Sequence, residues 1–251
     1  MNGASPGGGA ALAWRQLLRL GNVFTAASNV IAGFLLVYGQ WKPAGALAAL
    51  VGASMLLYAA GMALNDAFDA PLDARERPER PIPSGRISRR AAWTVGWSLL
   101  ALGLALAALA GTLAAHLGPL VVAGCLGLTI VLYDGSLKFT AAGPAAMGGC
   151  RALNVLLGAS AAPDFVASQP GAWMYAAGVG AYTAVLTTIA RGETDSAARG
   201  MRVRRLVTRM ILGFIVMDAA VATFAAGLPS GLAVLGLIIP SLLSARRAPM
   251  T

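Results

Sequence analysis

A chain of 251 residues that is 57% hydrophobic and only 12% charged has too few polar side chains to coat a water-soluble globule of its size. Its mean hydropathy of +0.70 makes a lipid bilayer the expected solvent. The formal net charge of +9 does not mark a nucleic-acid binder, because the Arg residues gather in short connections between apolar runs, where they orient a membrane protein, and no nucleic-acid partner is expected.

The opening MNGASPGGGA is Gly-rich and lacks the basic head of a secretory signal, so residues 1–12 are read as a disordered tail and 13–251 as a single transmembrane domain. A bilayer core about 30 Å thick takes roughly 20 apolar residues per helical span. Runs bounded by Pro, Gly or Arg clusters predict spans at 21–39, 44–64, 91–111, 117–133, 141–161, 172–190, 206–226 and 228–244. The fold class is therefore all-α, a polytopic transmembrane helical bundle. The fifth run, AAGPAAMGGCRALNVLLGAS, is the least hydrophobic and the richest in small residues, which suits a helix packed among others rather than facing lipid. Cys125 and Cys150 lie inside apolar runs without metal-ligand spacing and read as small core residues.

Arg75, Arg77, Arg80, Arg86, Arg89 and Arg90 fill one connection, and Arg191, Arg199, Arg202, Arg204, Arg205 and Arg209 fill another. Both are expected on the cytoplasmic side, with Arg246 and Arg247 bringing the C-terminus to that side as well. The alternate connections are nearly devoid of basic residues. His116 and Asp164, which fall in them, read as solvated turn residues.

The stretch LNDAFDAPLD carries the chemistry. Asp66, Asp69 and Asp73 stand three and four apart, so on a helix continuing out of the second span they share one face with Asn65. Like charges repel, and carboxylates at a helix C-terminus oppose the macrodipole; a cation relieves both. With only oxygen donors and no His or Cys nearby, Mg2+ fits better than zinc. The competing reading makes these acids solvated loop residues paired with Arg75, Arg77 and Arg80.

The acids run on into DARERPERPIPSGRIS, Asp73 to Ser88. NDxxDxxxD followed by RPxPxGxIS resembles the first signature of the UbiA superfamily of intramembrane prenyltransferases. The resemblance extends from about Asn22 to Asp218 and takes in the YDGSLK and GPxxMGxCRxLN stretches. It implies a helical bundle around a central cavity, normally of nine spans, so that eight to nine are expected. It also implies a polyprenyl diphosphate held by Mg2+ between two acidic motifs, with the prenyl group passing to an aromatic or other small electron-rich acceptor. The metal ligands carried over are Asp66, Asp69 and Asp73, then Glu193 and Asp195 in IARGETDSAARG. That second motif departs from the family pattern of aspartates four apart. Residues two apart do not share a helix face, which favours Glu193 over Asp195. The Arg191-Gly192-Glu193 form is similar to the EboC-like bacterial branch, from which a bacterial inner-membrane location is expected, with the N-terminus and acidic motifs cytoplasmic.

Asn65, Arg80, Lys138, Arg191 and Arg151 are the expected diphosphate ligands, and Asp66, Asp69 and Lys138 the expected catalytic residues. Arg80 and Arg191 also read as orientation anchors. Arg151 lies mid-span, where an unpaired charge costs about 2.5–3.5 kcal/mol on insertion scales. It either pairs with Asp218 or lines the cavity near the diphosphate. Asn22, Asn29, Tyr133, Asp134 and Asn154 are expected to line the cavity wall or the acceptor site. Competing function classes are a membrane transporter, a lipid-binding protein, or a family member that binds prenyl diphosphate without turnover.

Overall fold

The computed structural model describes residues 6–191 and 197–245, and every regular element among them is helical. They form α1 (Pro6–Leu17), α2 (Val23–Tyr38), α3 (Ala44–Glu76), α4 (Arg89–Ala114), α5 (Gly118–Gly135), α6 (Gly143–Ala159), α7 (Phe165–Ser168), α8 (Pro170–Arg191), α9 (Ala197–Ala226), α10 (Leu228–Leu235) and α11 (Ile238–Ala245). A 3-10 turn at Leu137–Phe139 joins α5 to α6. Helices α3, α4, α5 and, within α9, Arg209–Ala226 are long and apolar enough to cross a membrane, with α2 and the α10–α11 pair as shorter apolar segments. Each predicted span has a helical counterpart, in a polytopic membrane bundle. No ninth span lies among the described residues, and Arg246 and Arg247 fall outside them.

Two elements differ from expectation. The tail predicted over residues 1–12 is helical from Pro6, because Ala13 and Leu17 at its far end are fully buried against Ala63, Ala67, Ile87 and Ala92, and tertiary contact overrides the poor propensity of its glycines. The last predicted span is divided at Gly236–Leu237. Pro240 has no N–H to return to the carbonyl of Gly236, so the helix restarts rather than continues.

Helix α3 has 33 residues. At 1.5 Å per residue it is about 50 Å long, well beyond a bilayer core of about 30 Å, so its acidic C-terminal part extends past the apolar layer. Pro71 sits inside this helix and leaves the carbonyl of Ala67, four residues earlier, without its helical donor. Arg89 fills the gap, its Nε donating to Ala67 O at 2.8 Å. The helix thereby stays unbroken through the acids.

Helix α6 behaves as its small residues predict. A Cβ placed on Gly158 would lie 2.0 Å from Val30 O, one on Gly33 2.0 Å from Val155 O, and one on Gly148 2.4 Å from Gly180 O. Backbones of α2, α6 and α8 therefore touch, which brings the polar residues of α6 to the centre of the bundle.

The helices alternate in direction, so the connections fall at two ends. At one end Tyr38 Oη donates to Ala161 O at 2.8 Å, Trp41 Nε1 to Ser230 Oγ at 2.9 Å, and His116 Nε2 lies 2.9 Å from Ala161 O. His116 thus pins two loops together instead of sitting as a solvated turn residue. The opposite end gathers residues 18–22, 77–88 and 136–142 around the tip of α3.

Candidate functional site

Loop 77–88 explains its own sequence. Gly85 has φ +75°, a left-handed conformation that costs a residue with a Cβ about 1–2 kcal/mol. Ile87 is buried in the small core beneath α1, and the Ser88 side chain accepts from Ala91 N at 3.1 Å, capping α4. Ser84 N and Ile87 N donate to Arg80 O and Pro81 O. Held this way, the loop folds back over the end of α3 and returns Arg80 to the acids.

Three cations from three different segments meet the acidic stripe. Arg80 Nη1 lies 2.7 Å from Asp73 Oδ2 and 3.7 Å from Asp66 Oδ1. Arg19 Nη2, from the turn before α2, lies 3.6 Å from Asp66 Oδ1. Lys138 Nζ lies 2.6 Å from Asp69 Oδ1 and donates to Asn65 Oδ1 at 3.1 Å. Asp66 and Asp73 are 6% and 4% exposed, so these are buried carboxylates and not solvated loop residues. Their partners are Arg80 and Arg19; neither Arg75 nor Arg77 is among them.

Nothing in the sequence marks Arg19. It sits ahead of the first predicted span, outside every motif. Its backbone is in the left-handed region at φ +46°, fixed by Arg19 N to Gln16 O and Asn22 N to Arg19 O, and this conformation comes from tertiary packing of α1.

Arg191, at the end of α8, donates through Nη1 to Thr140 O at 3.0 Å and through Nη2 to Lys138 O. It braces the turn that presents Lys138 and, among the described residues, makes no ion pair of its own with the acids. Tyr133 interacts with Arg191. Asp134 is 4% exposed, and the charges that act on it most strongly are Lys138, Asp69, Arg19 and Asp66. Glu193 and Asp195 lie outside the described residues.

Arg151 belongs to a second polar group. Its Nη1 donates to Asn29 Oδ1 and its Nη2 to Thr25 Oγ1, both at 3.0 Å, while its guanidinium faces the rings of Phe214 and Tyr58. Asp218 accepts from Ser28 Oγ at 2.5 Å, Tyr175 Oη at 2.5 Å and Asn29 Nδ2 at 2.8 Å. The considered Arg151–Asp218 pair is therefore indirect, because the Asn29 amide relays between them. Tyr58 precedes Asp66 by eight residues on α3, about 12 Å along the axis, which separates Arg151 from the acidic stripe. Asn154 takes a hydrogen bond from Ser54 Oγ at 2.7 Å and donates to Ala26 O at 2.9 Å, tying α6 to α3 and α2. Asn22 is buried at the start of α2, its carbonyl accepting from Thr25 Oγ1 at 2.6 Å.

Among the described residues no three carboxylates surround a single point, since Arg and Lys now hold them. Yet Asp66 Oδ1 and Asp134 Oδ2 are buried without a hydrogen-bond partner. Buried oxygens in this state suit a hard divalent cation such as Mg2+, which takes carboxylate and phosphate oxygen together.

A helical membrane bundle with carboxylates and cations interleaved at one end is the class this fold and site define. The UbiA prenyltransferase family model matches residues 26–248, and the chain belongs to that family. The chain is 37% identical over 118 residues to a digeranylgeranylglyceryl phosphate synthase of Methanoregula boonei, covering 45% of this chain and 40% of the relative, so it spans less than half the length of that relative. Among solved structures, a digeranylgeranylglyceryl phosphate synthase superposes with a TM-score of 0.60 at 19% identity, over 94% of this chain and 88% of the other. A UbiA homologue from Archaeoglobus fulgidus, solved bound to DMAPP and Mg2+, gives a TM-score of 0.58 at 16% identity, over 92% and 84%. At these identities the structural likeness establishes the fold.

Proposed function

We propose that this protein is an intramembrane prenyltransferase that binds a prenyl diphosphate with Mg2+ at the end of α3 and transfers the prenyl group to a small nucleophilic acceptor. The observation that carries the reading is the interleaving of Asp66, Asp69 and Asp73 with Arg19, Arg80 and Lys138. Such a site is nearly charge-balanced when empty. A diphosphate adds several negative charges, so it enters only with accompanying cations, and the buried carboxylate oxygens are where those cations bind. The neighbour solved with DMAPP and Mg2+ supports this pairing of ligands.

Binding exchanges partners. Arg19, Arg80 and Lys138 turn from carboxylates to phosphate oxygens, Arg as a bidentate donor and Lys as a point charge. Arg191 keeps the Lys138 turn in place during this exchange. Bound Mg2+ supplies Lewis-acid neutralisation of the leaving diphosphate. The allylic C–O bond breaks with its electron pair going to the diphosphate oxygen, which Arg80, Arg19 and Lys138 stabilise. The allylic cation is captured by an acceptor atom that then loses a proton. The prenyl tail lies among the apolar helix faces, which keep water from the cation.

Asn65, Arg80 and Lys138 serve the diphosphate and Asp66, Asp69 and Asp73 the cation, with Glu193 as a further metal ligand. Arg151 and Asn154 are assigned to the bundle interior and Arg191 to bracing. Relatives such as that of Methanoregula boonei are digeranylgeranylglyceryl phosphate synthases, which favours an acceptor of the glyceryl phosphate kind. The Arg-rich connections support a cytoplasmic position for the site. Asp66→Ala is expected to abolish Mg2+-dependent release of diphosphate from prenyl diphosphates supplied with a cell extract, while the protein still elutes as a folded species in detergent. Full activity in that variant overturns the reading.

A further inference from the structure

The acidic stripe of α3 has a neighbour on another helix. Asp134 closes α5 in the sequence Tyr133-Asp134-Gly135-Ser136, and the following Gly135 packs beside the Phe68 ring, placing Asp134 next to the turn of α3 that carries Asp66 and Asp69. It is 4% exposed, and its Oδ2 has no hydrogen-bond partner. Lys138, four residues on, is engaged by Asp69 and Asn65 instead. An anionic oxygen this buried and this poorly solvated by the protein is costly unless a ligand completes it.

The family pattern takes its second carboxylate pair from residues four apart after the sixth span. Here Glu193 and Asp195 are two apart, and a regular helix cannot direct both to one ion. Asp134 supplies a carboxylate from α5, a different helix from the one that carries the acidic stripe.

We propose that Asp134 is a direct ligand of the divalent cation that enters with the diphosphate. The inference rests on the function proposed above. Asp66 Oδ1, which has two long ion pairs but no hydrogen bond, and Asp134 Oδ2 come from two helices and become the protein's half of one coordination sphere, completed by phosphate oxygen and water.

The test uses the full chain in detergent with Mn2+ as the probe and geranyl thiolodiphosphate as a substrate analogue that does not ionise. Mn2+ binding is followed by electron paramagnetic resonance for the wild type, Asp134→Asn and Asp69→Asn. Asp134→Asn is expected to weaken Mn2+ binding in the presence of the analogue roughly tenfold or more. Wild-type Mn2+ affinity in Asp134→Asn alongside loss in Asp69→Asn overturns the role of Asp134 and leaves the proposed function standing. Unchanged affinity in both variants overturns both. A second variant, Asp134→Cys with Cys125→Ser and Cys150→Ala, separates coordination from mere positioning of Lys138. Direct ligation gives a cadmium–thiolate charge-transfer absorption with the analogue present, because the soft thiolate now belongs to the coordination sphere. Folded protein without that band overturns the proposal.

Discussion

The ion pair between Asp69 and Lys138 separates a structural acid from one that serves the chemistry. Lys138 Nζ meets Asp69 Oδ1 at 2.6 Å, with side chains 8% and 16% exposed, and keeps Asn65 Oδ1 at 3.1 Å when Asp69 is neutralised. Removing one partner of a fully buried pair costs about 3–5 kcal/mol. Partial exposure and the retained amide reduce this to about 2 kcal/mol for Asp69→Asn. For a domain of this size that is a fall in Tm of about 4–8 °C. Lys138→Gln costs less, about 1 kcal/mol, because Asp69 is the more solvated partner. The double variant places two amides side by side and is expected within about 1 kcal/mol of wild type. Activity follows a different pattern. Each single variant is expected to lower Mg2+-dependent diphosphate release by about 100-fold or more, and the double variant to remain as inactive as either single. Thermal unfolding by tryptophan fluorescence and diphosphate release on the same preparations give both readouts. Recovery of activity together with stability in the double variant refutes the reasoning, since Asp69 would then serve only to neutralise Lys138.

Arg89→Gln leaves Ala67 O without its donor and is expected to cost about 1–2 kcal/mol in thermal unfolding; in a Pro71→Ala background, where a main-chain N–H reaches that carbonyl, the same change costs under about 0.5 kcal/mol. Asn29→Leu cuts the relay between Arg151 and Asp218 and is expected to lower the yield of folded protein in detergent as much as Asp218→Ala does, about 3 kcal/mol, whereas a direct pair would make Asn29 the lesser loss. Gly158→Val forces α2 and α6 apart, since its Cβ meets Val30 O at 2.0 Å, and is expected to abolish folded material by size-exclusion elution, while Gly178→Ala, with nothing within 4 Å, leaves elution unchanged.

How much of this was legible in the sequence depended on whether a residue's partner was local. The spans were readable because hydropathy and helical length are properties of contiguous residues, and α6 was readable because small residues recur along it. The acidic stripe was readable for the same reason: Asp66, Asp69 and Asp73 are neighbours on one helix, and Arg80 follows within a turn and a loop. Arg19 was not, since only the packing of Ala13 and Leu17 under α3 brings its guanidinium to Asp66. Asn29 as a relay was equally hidden. The sequence showed two opposite charges, Arg151 and Asp218, but not that an amide stands between them. The helical α1 was masked by its glycines, and the divided last span by an apolar run in which Pro240 was one residue among many.

The two polar layers of the bundle differ in whether they have bonding capacity to spare. In the deeper one, Arg151 uses both terminal nitrogens, and Asp218 takes hydrogen bonds from three side chains. Any ligand there would first have to displace bonds already made in a medium that does not replace them. In the layer at the end of α3, Asp66 Oδ1 is approached by two guanidinium groups at 3.6 and 3.7 Å without a hydrogen bond, and Asp134 Oδ2 has none either. Charge is present there but incompletely satisfied, and Arg19, Arg80 and Lys138 reach it from three segments outside α3. A ligand with both positive and negative parts, a metal diphosphate, satisfies the carboxylates and the cations at once. On the proposed function, that asymmetry leaves stability to the interior layer and ligand binding to the outer one.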